Sequence, residues 1–157
     1  MIKQGQALPN VVLTELTADG MQNHQVTELF ADKKVVLFAV PGAFTPTCSA
    51  AHLPGYVVLA DEIKAKGVDI IACVSVNDAF VMKAWGEAHN ASELMMLGDG
   101  DAAFTKAIGL DKETGSFGGV RSQRYAMIIE NGVVTELAVE AAGEFEVSKA
   151  ESILEKL

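Results

Sequence analysis

Two apolar runs rich in β-branched residues constrain the fold of this chain more than any other feature. KVVLFAV spans 34–40 and VDIIACVSV spans 68–76, and both are almost continuously apolar. Such runs are typical of strands that are buried on both faces of a sheet. The stretch between them, 56–66, has a helical composition and ends in lysine before Gly67, which is a common helix terminus. The pattern therefore predicts a parallel β-α-β crossover.

The second half of the chain adds a signal for antiparallel pairing. RYAMIIE and VVTELAVE flank Asn131-Gly132, the dipeptide that suits a two-residue type I′ hairpin turn. Further strands are predicted at 11–16 and 93–97, and a C-terminal helix is predicted to be capped by Ser148. The sequence thus predicts one α/β domain over residues 1–157, with a mixed β-sheet flanked by helices.

Composition and charge disfavour several classes of partner. Asp and Glu number 21 against 12 Lys and Arg, a net charge of -9, which disfavours binding to nucleic acid or to an anionic membrane. No apolar run approaches the roughly 18 residues that a membrane span needs, and the N-terminus lacks the apolar segment of a signal peptide. Two cysteines give no disulfide framework. We therefore expect a cytoplasmic protein without nucleic-acid or membrane partners.

No motif indicates a bound cofactor or metal ion. The sequence contains no GxGxxG, GxxxxGK[ST], HExxH or GxSxG pattern. The three histidines have no neighbours at the spacing of zinc ligands. We therefore expect the chain to work with neither a cofactor nor a metal.

The segment PGAFTPTC, 41–48, follows the first buried run and places a cysteine at a functional edge of the sheet. Ligands bind outside the carboxyl ends of parallel strands. Thr45 suits an N-cap and Pro46 the first helical position, so Cys48 falls in the first turn. The positive end of the helix dipole there favours a thiolate, the reactive form of cysteine. Position alone leaves open whether Cys48 is reactive or simply a small buried residue.

The other polar candidates near this corner carry less weight. His52 lies four residues after Cys48, but such a helical neighbour points back along the helix and Pro54-Gly55 is expected to interrupt that helix. Cys73 lies inside the second apolar run, where an apolar environment disfavours the thiolate. We expect Cys73 to be a core residue.

The longer string PGAFTPTCSAAHLPGY resembles the peroxiredoxins, a family of thiol peroxidases. Pro41, Thr45 and Cys48 stand in the family's P-x-x-x-T-x-x-C arrangement, and the string is most similar to the type II, or atypical, subfamily. The blocks at 74–85 and 124–134 resemble that subfamily at matching places. The resemblance extends from about residue 4 to residue 139 and implies a thioredoxin-like fold.

The resemblance also implies a role for each site residue. The Cys48 thiolate would attack hydrogen peroxide or an alkyl hydroperoxide and become a sulfenic acid. Thr45 would orient the peroxide, and Pro41 would shield the thiolate from water. A cation is also needed, and Arg124 is favoured over Arg121. Arg124 opens a predicted strand, whereas Arg121 is expected to lie in a solvated loop.

The resemblance further implies that an external thiol reduces the oxidised cysteine. Some type II relatives carry a resolving cysteine near the C-terminus, and this chain has none there. Glutathione with glutaredoxin is the expected reductant, with thioredoxin as the alternative. An internal Cys48–Cys73 disulfide would instead make the chain a two-cysteine, thioredoxin-dependent peroxidase.

A homodimer is expected from the resemblance, with Phe44 and Phe80 either at its contact or in ordinary packing. Two competing functions remain: a non-catalytic thioredoxin-fold binding module and a cysteine hydrolase. The joint presence of Thr45, Cys48 and Arg124 disfavours the first. The lack of a plausible histidine and acid pair disfavours the second.

Overall fold

Nine strands and five α-helices make up the fold, which a computed structural model describes over residues 1–157. The strands are β1 (Val12–Thr17), β2 (Gly20–Gln25), β3 (Lys34–Ala39), β4 (Ile70–Ser75), β5 (Met95–Gly98), β6 (Asp111–Glu113), β7 (Val120–Ser122), β8 (Tyr125–Glu130) and β9 (Val133–Val139). The helices are α1 (Val26–Leu29), α2 (Leu53–Ala65), α3 (Ala79–Ala88), α4 (Ala103–Ala107) and α5 (Ala150–Leu154), with a π-helical turn at Cys48–His52 and a 3₁₀ turn at Gly115–Phe117. None of these helices is long and apolar enough to cross a membrane.

Seven strands form one mixed sheet in the order β2-β1-β5-β4-β3-β8-β9, while β6 and β7 form a separate pair. Strand β4 lies between β3 and β5 and is parallel to both. The pairings of β3 with β8 and of β8 with β9 are antiparallel. The predicted mixed sheet and the crossover from β3 through α2 to β4 are therefore confirmed.

The central strands are apolar throughout because both faces of the sheet are covered. Alternate residues of β3 enter different cores: Val36 and Phe38 face a cluster with α2, α3 and α5. Val35 and Leu37 face a second cluster, which includes residues of α1 and α4. The pleat sends successive side chains to opposite faces. A strand between two helical layers thus needs apolar residues at every position.

The hairpin between β8 and β9 has the predicted turn. Asn131 and Gly132 both have positive φ, 49° and 77°, as the two central residues of a type I′ turn require. This turn fixes the start of β9 beside β8, and the pairing continues to Tyr125 and Val139. The hairpin therefore returns the chain to the end of the sheet where the carboxyl end of β3 lies.

Two predictions about helix boundaries are wrong. Pro54 does not interrupt the helix, because the π-helical turn changes the hydrogen bonding just before it. The Leu53 N–H donates to the Cys48 carbonyl, and α2 continues through Pro54 in its first turn. Ser148 does not cap the last helix, since α5 begins at Ala150 and the Ser148 hydroxyl donates to Glu140 instead.

Candidate active site

Cys48 lies at the carboxyl end of β3, just below the protein surface. After β3 the chain bends at Pro41, turns at Ala43 and Phe44, and enters helical structure at Pro46. Cys48 is 1% exposed and belongs to the core cluster that includes α2. The backbone N–H groups of Thr47 and Cys48 donate to no backbone acceptor, as expected in the first turn of a helix. The thiol is thus shielded from solvent at the positive end of a helical segment.

Arg124 supplies the positive charge at this thiol. Its Nη2 donates to Cys48 Sγ at 3.1 Å. The pairing of Ala39 with Tyr125 in β3 and β8 brings Arg124, the residue before β8, to the end of β3. A guanidinium is a permanent cation, so a fixed positive charge lies within hydrogen-bond distance of the sulfur. The structure therefore joins two of the predicted site residues, which are 76 positions apart.

The Thr45 side chain turns away from the helix that it was expected to cap. Its Oγ1 donates to the Gly42 carbonyl at 2.6 Å, while its own carbonyl accepts from Ser49 N–H at 2.9 Å. A hydroxyl whose hydrogen is already used presents its lone pairs to other partners. Thr45 Oγ1 is therefore held as an acceptor.

A cavity of about 330 Å³ opens at the guanidinium of Arg124. Pro41 and Arg124 both line it, together with Thr47, Lys112, Gln123 and residues 140–145. Cys48 does not line the cavity, but it is bonded to Arg124, which does. The partly buried Pro41 contributes no backbone donor at this wall. A small polar molecule that enters the cavity therefore meets Arg124.

Comparison with known proteins shows which family the chain is similar to. The sequence profile of the Redoxin family matches residues 3–154. Peroxiredoxin-2E-2, chloroplastic, of Oryza sativa subsp. japonica is 49% identical over 165 residues, which cover 99% of this chain and 72% of the relative. Peroxiredoxin-2C of Arabidopsis thaliana is 48% identical over 141 residues, which cover 88% of this chain and 87% of the relative.

The chain belongs to the peroxiredoxin family. Among solved structures, reduced Prx3 from Vibrio vulnificus in complex with H₂O₂ has a TM-score of 0.99 and 72% identity, with 99% of both chains covered. Peroxiredoxin 5 from Alvinella pompejana has a TM-score of 0.86 and 33% identity, covering 98% of this chain and 96% of that one. The thioredoxin-like fold and the thiol peroxidase class are therefore confirmed.

His52 of this peroxiredoxin contacts the arginine and makes no hydrogen bond to the cysteine. Arg124 Nη1 lies 2.8 Å from His52 Nδ1, and His52 Nε2 lies 3.1 Å from the Ser148 carbonyl. Burial, reinforced by the charge of Arg124, lowers the pKa of His52 to about 3. The sequence placed this histidine one helical turn after Cys48, but it gave no sign of the arginine as its partner.

Glu140 and Ser148 form a second group of site residues that the sequence did not reveal. Glu140 Oε2 accepts from the Ser148 N–H at 2.8 Å, the Ser148 hydroxyl at 2.7 Å and the Glu146 N–H at 2.8 Å. Burial opposes the ionised form of Glu140, but these hydrogen bonds outweigh it and hold its pKa below the ordinary value. The carboxylate thus fixes the segment that presents the Ser148 carbonyl to His52.

Arg121, the rejected candidate for the catalytic cation, is not solvated in a loop as predicted. It lies in β7, where its Nε donates to the Gly118 carbonyl at 3.0 Å and its Nη1 to the Val76 carbonyl at 2.8 Å. These bonds tie the 115–119 segment to the end of β4. Its place in β7 was missed because a three-residue strand leaves little pattern in a sequence.

Cys73 lies in the middle of β4, opposite Phe38 of β3, and is fully buried. Burial, followed by the proximity of Cys48, raises the pKa of the Cys73 thiol well above its ordinary value. Its environment is that of a core residue, as its strand pattern predicted. No group of three or more His, Cys, Asp or Glu side chains is arranged to hold a metal ion.

The depressed pKa of His52 predicts a specific loss of stability in acid. Between the unfolded value of 6.5 and the folded value of about 3, the unfolded chain binds more protons at this site. The free energy of unfolding should therefore fall as pH falls from 6.5, by at most about 1.4 kcal/mol per pH unit from this site. Asparagine does not titrate, so His52→Asn should show a shallower decline between pH 6.5 and 4.5 in urea unfolding.

Equal slopes in His52→Asn and in the wild type would show that His52 does not resist protonation in the folded protein.

Proposed function

We propose that Cys48 is the peroxidatic cysteine of this thiol peroxidase and that Arg124, Thr45 and Pro41 complete its active site. The observation that carries the proposal is the 3.1 Å hydrogen bond from Arg124 Nη2 to Cys48 Sγ. A permanent cation bonded to a shielded sulfur stabilises the thiolate, which is the nucleophilic form. Cys73, the other thiol, has no such partner and is disfavoured as a thiolate by burial.

The reaction is the transfer of one peroxide oxygen to sulfur. The thiolate of Cys48 attacks the OH-bearing oxygen of ROOH, the O–O bond breaks, and RO⁻ departs and takes up a proton to give water or an alcohol. Cys48 becomes a sulfenic acid, CysSOH, and is oxidised by two electrons as the peroxide is reduced. Because the sulfur displaces RO⁻ in line, negative charge moves from sulfur to the departing oxygen.

Each neighbouring residue has a task in that displacement. Arg124 bonds to the sulfur and also lines the cavity. Its positive charge can therefore stabilise the negative charge that develops on the departing oxygen. Thr45 Oγ1, whose hydrogen is committed to Gly42, accepts from the peroxide O–H and orients the oxygen under attack. Pro41 excludes water and offers no competing donor, which strengthens the charge interactions at the sulfur.

Three substitutions test these assignments by stopped-flow reaction with hydrogen peroxide. Cys48→Ser should abolish the reaction, because a hydroxyl is a far weaker nucleophile at neutral pH. Arg124→Met should lower the second-order rate constant about 100-fold or more, since it removes the charge at the departing oxygen. Thr45→Val should lower that constant about tenfold or more and slow alkylation of Cys48 much less.

Arg121→Met is the matched control for Arg124→Met, because Arg121 bonds only to the Gly118 and Val76 carbonyls. We expect its rate constant to stay within a few-fold of the wild type. Full activity in Cys48→Ser would end the proposal. Equal losses in peroxide reduction and alkylation in Thr45→Val would restrict Thr45 to a structural role.

We further propose that an external thiol, glutathione with glutaredoxin, reduces the sulfenic acid. The chain has two cysteines, and Cys73 is held by parallel pairing on both sides of β4. Its burial favours the thiol, whereas disulfide exchange needs a thiolate. Glutathione would condense with CysSOH to a mixed disulfide and water, and glutaredoxin would take up the glutathionyl group by exchange. This route requires a reducing compartment, and we propose the cytoplasm.

Cys73→Ala separates this route from internal disulfide formation. We expect the variant to keep near wild-type steady-state turnover with glutathione and glutaredoxin, because Cys73 takes no part in the cycle. Non-reducing peptide mapping of the oxidised wild-type protein should then show Cys48 joined to glutathione. A dominant Cys48–Cys73 bridge with lost turnover in the variant would favour a two-cysteine enzyme that uses thioredoxin.

We also propose that the protein forms a homodimer through the surface around Phe44 and Phe80. These side chains are 58% and 63% exposed, an unusual state for phenylalanine. The hydrogen bond from Ala43 N–H to Asn77 Oδ1 joins the loop that carries Phe44 to the segment just before α3, the helix that carries Phe80. A second copy of the chain would cover both rings.

Phe80→Glu tests the dimer, because a buried carboxylate at an apolar contact is strongly unfavourable. Sedimentation velocity should show a dimer for the wild type and a monomer for the variant at the same concentration. Phe117→Glu, which changes an exposed phenylalanine of the 3₁₀ turn, is the control and should stay dimeric. A monomeric wild type at high micromolar concentration would refute the proposal.

A further inference from the structure

We propose that the cavity beside Arg124 binds the charged ends of glutathione. Lys112 contacts a carboxylate of this peptide, and Glu140 and Glu144 contact its ammonium group. The inference rests on the proposed function, in which glutathione reduces the sulfenic acid of Cys48. It names the side chains that recognise the reductant, and the proposed peroxide step uses none of these three.

The cavity is larger and more highly charged than a peroxide requires. Its volume of about 330 Å³ lies within the range of small-molecule sites, roughly 300–1,000 Å³. Hydrogen peroxide has the size of roughly two water molecules, about 60 Å³. Two cations, Lys112 and Arg124, and two carboxylates, Glu140 and Glu144, line the cavity. A ligand that carries charges of both signs complements this lining, whereas a neutral peroxide does not.

Main-chain hydrogen bonds bring these charged residues together from separate parts of the chain. The Glu140 N–H donates to the Arg124 carbonyl at 3.0 Å, which sets the residue after β9 beside the residue before β8. The Gln123 N–H donates to the Leu110 carbonyl at 2.8 Å, which holds the start of β6, the strand of Lys112, next to the same segment. The backbone therefore fixes the walls of the cavity without a ligand.

The side chains proposed to bind glutathione are free to take a ligand. Lys112 and Glu144 form no ion pair with any protein group. Glu140 is 8% exposed, and its three hydrogen bonds all fall on Oε2, which leaves Oε1 free. Tyr125 Oη is the only fully enclosed side-chain oxygen or nitrogen without a partner, so Glu140 Oε1 keeps some exposure where the residue lines the cavity. A largely buried carboxylate with one free oxygen is an acceptor for a ligand N–H.

The charges of glutathione complement those of the cavity. At neutral pH the peptide carries carboxylates at both ends and one ammonium group, and its net charge is negative. The protein, with a net charge of -9, would repel such an anion over most of its surface. Arg124 already donates to the Cys48 sulfur, so Lys112 is the cation left for a carboxylate. An ammonium group beside Glu140 and Glu144 relieves the repulsion between two carboxylates.

The cavity lies where the thiol of glutathione has to arrive. Thr47, the residue before Cys48, and Arg124, which bonds to the sulfur, both line it. The glutathione thiol lies between the two charged ends, so binding of these ends raises its effective concentration beside Cys48. The thiol sulfur then attacks the sulfur of CysSOH. An S–S bond forms, the S–O bond breaks, and the hydroxyl leaves as water with the thiol proton.

The choice of reductant tests this site. The protein is oxidised with one equivalent of hydrogen peroxide and then mixed with glutathione or with 2-mercaptoethanol, a thiol without charged ends. Quenched-flow intact mass gives a second-order rate constant for each thiol. Their ratio cancels any change in the reactivity of Cys48 itself. We expect Lys112→Met to lower the ratio of glutathione to 2-mercaptoethanol about tenfold and Glu144→Gln to lower it about threefold, because each removes one charged contact.

Lys66→Met and Glu155→Gln are the matched controls, because both residues are exposed and lie outside the cavity. They make the same changes in net charge, and we expect their ratios to stay within about twofold of the wild type. A wild-type ratio in either Lys112→Met or Glu144→Gln would overturn the inference and leave the peroxidase assignment intact. A wild-type sulfenic acid that does not react with glutathione would overturn both this inference and the proposed reductant. Activity in Cys48→Ser would instead end the proposed function.

Equilibrium binding tests the same site without a reaction. S-methylglutathione has both charged ends but no free thiol, and it is titrated into the reduced wild-type protein and followed by ¹H–¹⁵N correlation spectra. We expect saturable shifts at the N–H groups of Ala142, Gly143 and Glu144, which line the cavity, and weaker binding to Lys112→Met. Shifts confined to other parts of the chain, or no saturable shift at millimolar concentrations, would contradict the inference.

Discussion

The contact between the Arg124 guanidinium and the Cys48 sulfur is the interaction on which the rest of the site depends. The guanidinium donates at 3.1 Å to a sulfur that is 1% exposed, so water has little access to the sulfur side of this contact. A cation so placed must be held by protein groups, because a free arginine would turn toward solvent. The pairing of β3 with β8 provides the first constraint, since it brings the two residues to the same edge of the sheet.

The second constraint comes from a relay that reaches the C-terminal part of the chain. Glu140 accepts a hydrogen bond from the Ser148 N–H, and the Ser148 carbonyl accepts one from His52 Nε2. His52 Nδ1 in turn accepts from Nη1 of the Arg124 guanidinium. Each member accepts from the next in a partly dry environment, where an unmade hydrogen bond is costly. The active site therefore draws on the core around α2 and on the segment after β9 as well as on the loop that carries the cysteine.

The sequence predicted the parts of this structure that local pattern determines. The apolar runs of β3 and β4 and the Asn131-Gly132 turn were predicted correctly. The predicted Thr45 cap was wrong, because the Thr45 hydroxyl donates to the Gly42 carbonyl instead. The relay was missed because its members are far apart in sequence: His52 and Ser148 are separated by 96 positions. The Pro54-Gly55 pair also suggested a helix boundary, whereas a π-helical turn carries the chain through it. Side-chain networks between distant elements leave no periodicity to detect.

The central claim is that Cys48 is the thiol that peroxide oxidises. The most direct test follows the transfer of one oxygen atom to the protein. The reduced protein should be mixed with one equivalent of hydrogen peroxide, with and without dimedone, and analysed by intact mass and peptide mapping. Without dimedone we expect rapid gain of one oxygen at Cys48, and with dimedone a thioether at Cys48 formed with loss of water, because that thiol alone has a guanidinium bonded to it. An inert protein, or an oxygen located at Cys73 or on a methionine, would contradict the account.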